Sequence, residues 1–115
     1  MELRLDERNA GNVLVVRFAG RMVLGQETSA ATERLRTLVS QNARVVLDLD
    51  GLQHLDPSGI GALLSLYAAA ARHGARLYVA RPSSKITRLL ESTKLTSLFP
   101  VYETPEEAIA ASAAS

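Results

Sequence analysis

Hydrophobic and polar residues at the start of the chain alternate with the two-residue period of a β-strand over residues 3–6. Residues 9–12, Asn-Ala-Gly-Asn, are typical of a turn, and residues 13–18 form a run dominated by β-branched valines. This pattern predicts a β-hairpin over residues 3–18. Gly20 is expected to end the second strand, with residues 21–25 forming a short extension or a loop.

The spacing of apolar residues changes to three or four over residues 27–40, which predicts an amphipathic helix. Thr28 or Ser29 is expected to cap its first turn, and Asn42 is expected to end it. An unbroken apolar run then predicts a strand over residues 44–50 that is buried on both faces of a sheet. Acids and a glycine follow this run and indicate a short loop.

The longest apolar segment predicts a helix from Pro57 to about His73, and Gly74 is expected to stop it. One stripe of this helix is expected to face the core. Its residues are Ile60, Leu63, Leu64, Tyr67 and Ala71.

The remainder of the chain continues the alternation of strand and helix. It predicts a strand at residues 77–80, a helix opened by residues 82–84 and a short strand at residues 99–102. A last helix begins at Thr104-Pro105, a capping residue followed by proline at the first helical position. The order β-β-α-β-α-β-α-β-α predicts an α/β fold with helices on a mixed sheet. No internal repeat or linker is evident, so the 115 residues predict one domain.

Composition and charge narrow the classes of function. Thirteen basic and twelve acidic residues give a formal net charge of +1, which provides no case for nucleic-acid binding. The absence of cysteine excludes disulfides, thiolate catalysis and zinc sites with sulfur ligands. The longest apolar run is too short to span a bilayer, and the first residues lack the apolar segment of a signal peptide. We therefore expect a cytoplasmic protein with no membrane insertion, metal site or cofactor.

One short motif, Asp56-Pro57-Ser58-Gly59, stands at the predicted switch from strand to helix. Because Asp56 precedes proline, extended backbone is favoured there, as in a residue that caps a helix. Its carboxylate is expected to accept a hydrogen bond from the backbone N–H of Ser58 or Gly59. Pro57 suits the first helical position, where a backbone N–H would have no partner. Ser58 then projects from the first turn, where the helix dipole favours an anion.

The order of elements, together with two segments, resembles the STAS domain, the fold of bacterial anti-sigma factor antagonists. The first segment is the acid-ending strand over residues 46–50, followed by Asp56-Pro57-Ser58-Gly59-Ile60-Gly61 and an apolar helix. The second segment is residues 86–98, followed by Phe99-Pro100. The resemblance covers about residues 3–111. It implies a single STAS-type domain with a mixed sheet of about five strands and about four helices.

The resemblance also implies a function based on binding rather than catalysis. In the family, the second serine of the motif is phosphorylated by an anti-sigma factor that is also an ATP-dependent serine kinase, and a metal-dependent serine phosphatase resets it. The unphosphorylated antagonist binds the kinase and thereby releases a sigma factor. By position, Ser58 matches that phosphoacceptor. The expected partner contacts are Asp56, Pro57, Gly59, Ile60, Ser83 and Ser84.

The chain departs from the family pattern at two places. Pro57 replaces the first serine of the motif, and residues 20–25 lack the acid often found after the second strand. We expect the first change to alter kinase recognition and the second to alter the partner surface. The alternative function is a STAS subunit of a larger assembly, such as a lipid-transport or stressosome-like complex, without a phosphorylation switch. The sequence also leaves open whether the protein forms a weak homodimer and whether it binds a small molecule or a nucleotide.

His54 is the remaining candidate for catalysis, as a general base. The sequence fixes no second catalytic partner for it, so we interpret it as a solvated histidine of the predicted loop. No nucleophile–base pair or cluster of metal ligands is evident, which argues against an enzyme.

Overall fold

The computed structural model describes residues 3–114, which form a five-stranded sheet with four α-helices packed on it. The strands are β1 (Leu3–Ala10), β2 (Val13–Met22), β3 (Arg44–Leu55), β4 (Arg76–Ala80) and β5 (Val101–Tyr102). The helices are α1 (Gln26–Gln41), α2 (Pro57–His73), α3 (Ser84–Ser92) and α4 (Pro105–Ala113), and a 3-10 turn spans Leu95–Ser97. The strands lie in chain order, with β1 antiparallel to β2 and the other neighbours parallel. The predicted α/β fold with a mixed sheet is confirmed.

The sheet is covered on both faces, which explains the unbroken apolar sequence of β3. Because successive strand residues point to opposite faces, Val45 and Leu47 join a larger core with α1, α2 and α3. Val46 joins a smaller core with Ala108 of α4. The three β3 side chains are 0% exposed. The prediction that this strand is buried on both faces is confirmed.

Two strands run further than the sequence pattern predicts. β2 continues through Gly20 to Met22, and β3 continues beyond Asp50 to Leu55, so the loop predicted after Asp50 is wrong. The parallel ladder between these strands still pairs Met22 with Leu55 after two register shifts. Pairing with a neighbouring strand therefore overrides the local signals that favour a break.

Gly51 marks a close approach of two backbones rather than a turn. A Cβ at this position would lie 2.6 Å from the carbonyl oxygen of Phe18 and 2.9 Å from Cα of Ala19. Both atoms belong to β2, next to the first register shift of the ladder. Only glycine lets the two strands stay in contact at this irregular point.

Helix α1 starts without the predicted cap. Its N-cap residue is Gly25, and no side-chain hydrogen bond caps its first turn. Thr28 is buried instead, and its carbonyl accepts a hydrogen bond from the Thr32 hydroxyl at 2.7 Å. Ser29 is an exposed helical residue. The end of the helix is as predicted, because Asn42 is its C-cap.

Helix α2 has the predicted bounds, but its buried stripe is rotated from the predicted one. Leu63 is buried as expected, whereas Leu64 and Tyr67 are 44% and 38% exposed. Leu66 lies in the core, and Tyr67 packs its ring at 90° to that of Phe99, with 5.5 Å between the ring centroids. The prediction that Tyr67 belongs to the core stripe is therefore wrong. Alanines occur on both sides of this helix, so the apolar pattern does not separate the two orientations.

The last part of the chain matches the predicted order with a shorter strand. The strand predicted at residues 99–102 is limited to β5, because the 3-10 turn before it buries Phe99 in the larger core. Helix α4 begins as predicted, with Pro105 at its first position. The Thr104 hydroxyl caps it by accepting a hydrogen bond from the N–H of Glu107 at 3.1 Å.

An ion pair between a buried carboxylate and a partly exposed arginine joins β3 to the end of β4. The Asp48 carboxylate, whose side chain is 4% exposed, receives hydrogen bonds from the Arg81 guanidinium at 2.7 and 3.1 Å. Its Oδ1 also accepts from the N–H of Asp50 at 3.2 Å. Arg81 has the left-handed backbone that L side chains rarely adopt, with φ 53, and its N–H donates to the carbonyl of Tyr102. These contacts hold the backbone where it turns from β4 towards α3.

Replacing Arg81 by methionine would leave the buried Asp48 carboxylate without its main partner. We expect the free energy of unfolding to fall by about 2–4 kcal/mol, below the largest values for broken buried pairs because Arg81 is partly exposed. Urea unfolding followed by circular dichroism measures the loss. The double variant Asp48→Asn/Arg81→Met should recover part of it. A double variant that is as unstable as Arg81→Met would contradict this account.

Candidate functional site

The start of α2 is organised by Asp56, its N-cap residue. Asp56 has extended backbone, with φ −98 and ψ 178, because the following Pro57 disfavours helical angles there. Its Oδ1 accepts a hydrogen bond from the N–H of Gly59 at 2.9 Å, and its carbonyl accepts from the N–H of Ile60 at 3.0 Å. The predicted capping role of Asp56 is confirmed.

The second oxygen of this carboxylate ties α2 to the loop between β2 and α1. Oδ2 of Asp56 accepts a hydrogen bond from the N–H of Leu24 at 3.0 Å, and the N–H of Asp56 donates to the carbonyl of Met22 at 3.4 Å. The N–H groups of Gly59 and then Leu24 hold the pKa of Asp56 below its ordinary value, since they stabilise the charged form. One carboxylate therefore joins the ends of β2 and β3 to the first turn of α2.

Gly59 lets α2 begin in direct contact with the end of β2. A Cβ at this position would overlap the carbonyl oxygen of Met22 and lie 2.6 Å from Cδ1 of Leu55. At Gly61, two residues later, nothing lies within 4 Å of such a Cβ. Close packing of the helix on the sheet therefore requires glycine at the first of these positions and not at the second.

Ser58 lies in the first turn of α2 with an exposed side chain, and its hydroxyl forms no hydrogen bond with the rest of residues 3–114. It borders a groove of about 280 Å³ between α1 and α2. Farther along this groove, the guanidinium of Arg36 contacts the hydroxyl of Ser65 and lies 2.8 Å from the carboxylate of Glu33. Ser65 and Arg36 are thus engaged with each other, whereas Ser58 presents an unbonded hydroxyl.

Leu24 is a surface residue within residues 20–25, the segment that the sequence predicts to alter the partner surface. Its side chain is 81% exposed, it lines the same groove as Ser58, and its backbone is held by Asp56. The hydrogen bond to Asp56 fixes the backbone of Leu24 and leaves its apolar side chain on the surface. The signal available in the sequence is an apolar residue beside Gly25, within a segment predicted to be a short extension or a loop.

The start of α3 carries the two other predicted contact residues. Ser83 is the N-cap of this helix, and its hydroxyl accepts a hydrogen bond from the N–H of Ile86 at 3.2 Å. Ser84 is the first helical residue, and both serines are exposed. Ser83 therefore has a structural role whether or not it also contacts a partner.

Lys85 brings the start of α3 to the end of β3. Its Nζ lies 2.9 Å from Nδ1 of His54 and 3.4 Å from the carbonyl oxygen of Gln53. His54 is exposed as expected, but its placement in a loop is wrong because it belongs to β3. The loop after β2 and the starts of α2 and α3 therefore share the edge of the sheet where the parallel strands end.

The remaining predicted contact residues differ in what they present to a partner. Pro57 is exposed at the first position of α2. Ile60 is half-buried and packs against the larger core. Gly59 is buried, so it shapes the surface by allowing close packing and offers no side chain to it.

Residues 3–114 contain no group of three or more histidine, aspartate or glutamate side chains placed to hold a metal ion. Within the same range, no helix has the length and apolar character needed to cross a membrane.

Alanine substitution of the two glycines of α2 should have opposite effects. Gly59→Ala should lower the free energy of unfolding by about 1–3 kcal/mol, because the added methyl group overlaps a backbone carbonyl that must move. Gly61→Ala should raise it by roughly 0.5–1 kcal/mol, because alanine is the better helix former and the position is open. Urea unfolding of both variants measures the difference. Equal effects would contradict the close approach of α2 to β2.

Asp56→Asn should separate the two functions of the Asp56 side chain. Asparagine caps helices as well as aspartate does, but it has one carbonyl oxygen and can accept from only one of the two N–H groups at a time at full strength. We expect the first turn of α2 to persist and the amide of Leu24 to exchange with deuterium faster. Amide exchange followed by NMR measures both.

The lowered pKa of Asp56 also fixes the sign of a pH effect. Because the pKa of Asp56 is lower in the folded than in the unfolded chain, its charged carboxylate stabilises the fold. This stabilisation is complete above about pH 4, the pKa in the unfolded chain. It is lost as the pH falls through the folded value. The difference in Tm between the wild type and Asp56→Asn should therefore shrink on acidification. A difference that stays constant down to about pH 2 would refute the role of the charge.

The comparison with known proteins agrees with this architecture. The family model for the STAS domain matches residues 4–108. The chain is 28% identical over 116 residues to the anti-sigma F factor antagonist of Paenibacillus polymyxa, a match that covers 95% of this chain and 94% of that protein.

Solved structures share the fold at lower sequence identity. An anti-sigma factor antagonist from Mycobacterium paratuberculosis has a TM-score of 0.83 at 21% identity, covering 96% of this chain and 93% of that one. The anti-sigma factor antagonist SpoIIAA has a TM-score of 0.80 at 18% identity in its unphosphorylated form, covering 97% and 98%. Its phosphorylated form has a TM-score of 0.63 at 20% identity, covering 93% and 96%. Since the family match spans most of its length, this chain belongs to the STAS domain family.

Proposed function

We propose that this protein is an anti-sigma factor antagonist that acts by binding and is switched by phosphorylation of Ser58. Its Paenibacillus polymyxa relative is named an anti-sigma F factor antagonist, and SpoIIAA, which shares the fold, has a phosphorylated and an unphosphorylated form. The observation that carries the proposal is the exposed, unbonded hydroxyl of Ser58 beside the exposed Leu24.

The proposed partner is an anti-sigma factor that is also a serine kinase, in the cytoplasm. Oγ of Ser58 forms a bond to the γ-phosphorus of ATP held by that kinase, while the bond from this phosphorus to the β,γ-bridging oxygen breaks. ADP leaves, and the hydroxyl proton passes to a base of the kinase. A metal-dependent serine phosphatase hydrolyses the phosphoserine and restores the binding form. The antagonist supplies the hydroxyl and the contact surface, and no catalytic group.

The hydrogen bonds at the start of α2 favour a phosphoryl group that remains on the surface. Pro57 has no N–H, and the N–H of Gly59 already donates to Asp56, so few donors remain in the first turn for phosphate oxygens. The added charge of about −1.5 to −2 is favoured by the helix dipole and opposed by the nearby Asp56 carboxylate. We therefore expect the backbone to keep its fold after phosphorylation.

The same charge is sufficient to exclude a partner. Burying an unpaired dianion in an interface costs on the order of several kcal/mol. Each loss of about 1.4 kcal/mol weakens binding tenfold. Phosphorylation beside Leu24 would therefore release the anti-sigma factor without unfolding the antagonist.

Incubation with the candidate kinase and Mg-ATP should place one phosphate on Ser58, as located by mass spectrometry of proteolytic peptides. Ser58→Ala should remove the phosphate. Ser65→Ala, a control in the same helix and groove, should retain it because its own hydroxyl is already engaged by Arg36. Phosphate on another residue, or none, would count against the proposed switch.

Calorimetric titration of the anti-sigma factor tests the consequence of the modification. The phosphorylated protein should bind at least about 100-fold more weakly than the unmodified one. Its amide NMR spectrum should change only around Ser58. Undiminished binding would contradict exclusion by charge. Recovery of a membrane transporter or a stressosome-like complex in place of an anti-sigma factor, with Ser58 unmodified, would favour the alternative of a subunit in a larger assembly.

A further inference from the structure

We infer that the start of α3 docks an acidic segment of the partner protein. The partner's identity rests on the proposed function, whereas the chemistry of the docking point rests on His54, Lys85 and Arg88. These three exposed residues are called the basic edge below. They lie next to the edge of the sheet where the parallel strands end. Asp56 follows His54 by two residues at this edge, and the first turn of α2 begins there.

Lys85 and Arg88 of the basic edge form no ion pair with an acidic side chain within residues 3–114. Several arginines on other surfaces are ion-paired, as Arg34 is with Glu7 at 2.8 Å, whereas the exposed Arg72 and Arg76 form no ion pair with the described residues. Nζ of Lys85 instead contacts Nδ1 of His54 and donates to the carbonyl oxygen of Gln53, and Arg88 forms no ion pair with the described residues. A carboxylate from outside the chain would therefore meet uncompensated positive charge.

The stability of α3 does not explain Lys85. It lies in the first turn of this helix, where the positive end of the macrodipole makes a cation unfavourable. Helix α3 has no acidic residue in its first turn and no basic residue in its last turn. An acidic residue in the first turn and a basic residue in the last turn would stabilise the helix. Helix stability therefore does not account for a lysine in the first turn.

Contacts with the end of β3 preorganise the ammonium group of Lys85. Its Nζ is held by Nδ1 of His54 at 2.9 Å and by the carbonyl oxygen of Gln53 at 3.4 Å. A cation that is already held in place loses less conformational entropy when a carboxylate binds it.

The positive charge of the basic edge therefore favours an acidic segment as its binding partner. We expect aspartate or glutamate side chains of the anti-sigma factor to approach Lys85 while an apolar group of the same protein covers Leu24. Charges at the rim of an interface act chiefly on the association rate, and salt screens them. The docking point thus predicts a salt-dependent association step.

The first experiment compares Lys85→Glu with Lys94→Glu in binding to the anti-sigma factor. Lys94 is exposed and lies just beyond the other end of α3, so it offers the same charge change away from the basic edge. We expect Lys85→Glu to weaken binding by about tenfold or more, mostly through slower association, and Lys94→Glu to change it by less than about twofold. Surface plasmon resonance at two salt concentrations measures both. Equal effects of the two substitutions would overturn the inference.

The second experiment needs no anti-sigma factor. Titration of the full chain with a hexaglutamate peptide should shift the amide NMR signals of the basic edge in the wild type and in Lys94→Glu, but not in Lys85→Glu. No shift in the wild type, or shifts with a short oligothymidylate alone, would overturn docking of an acidic protein segment. If the peptide binds and no anti-sigma factor does, the proposed function fails while the acidic docking point stands. If the anti-sigma factor binds equally well without Lys85, the proposed function stands while the acidic docking point fails.

Discussion

The Asp56 carboxylate is the interaction on which the candidate surface depends. One of its oxygens accepts from the N–H of Gly59 in α2, and the other accepts from the N–H of Leu24 in the loop after β2. Both donors are backbone groups, so the contact leaves the Leu24 side chain and the Ser58 hydroxyl available for a partner. Without this charge, the loop and the helix start would lose their common anchor, and the two groups would no longer have a fixed spacing.

The parallel order of β2, β3 and β4 explains why distant segments meet at one edge. Neighbouring parallel strands end on the same side of a sheet, and the loops that follow them are therefore close in space. Leu24 follows β2, Ser58 follows β3, and the start of α3 follows β4. The ion pair between the buried Asp48 and Arg81 holds the last of these turns. A rigid sheet thus positions three exposed segments, and changes at their surface need not disturb the core.

The limits of the sequence pattern are clearest in β3 and α2. Local signals end β3 at an acid and a glycine, but Gly51 is needed for contact with β2, and the strand continues to Leu55. In α2 the bounds follow from Asp56-Pro57 at one end and Gly74 at the other, as predicted. The buried stripe does not follow, since alanines make two faces of the helix nearly equivalent and the packing of neighbouring elements selects one.

The sequence by itself determined the order of elements, the mixed α/β class, the capping of α2 by Asp56 and the family to which the chain belongs. These features depend on local spacing and on a motif whose residues are adjacent. Only the tertiary structure decided that Leu24 shares a groove with Ser58, that Lys85 reaches His54, and that Asp48 is neutralised by Arg81. Each of these pairs is about thirty residues apart along the chain. Such pairs form because strand pairing and helix packing bring separate segments together, which no local pattern records.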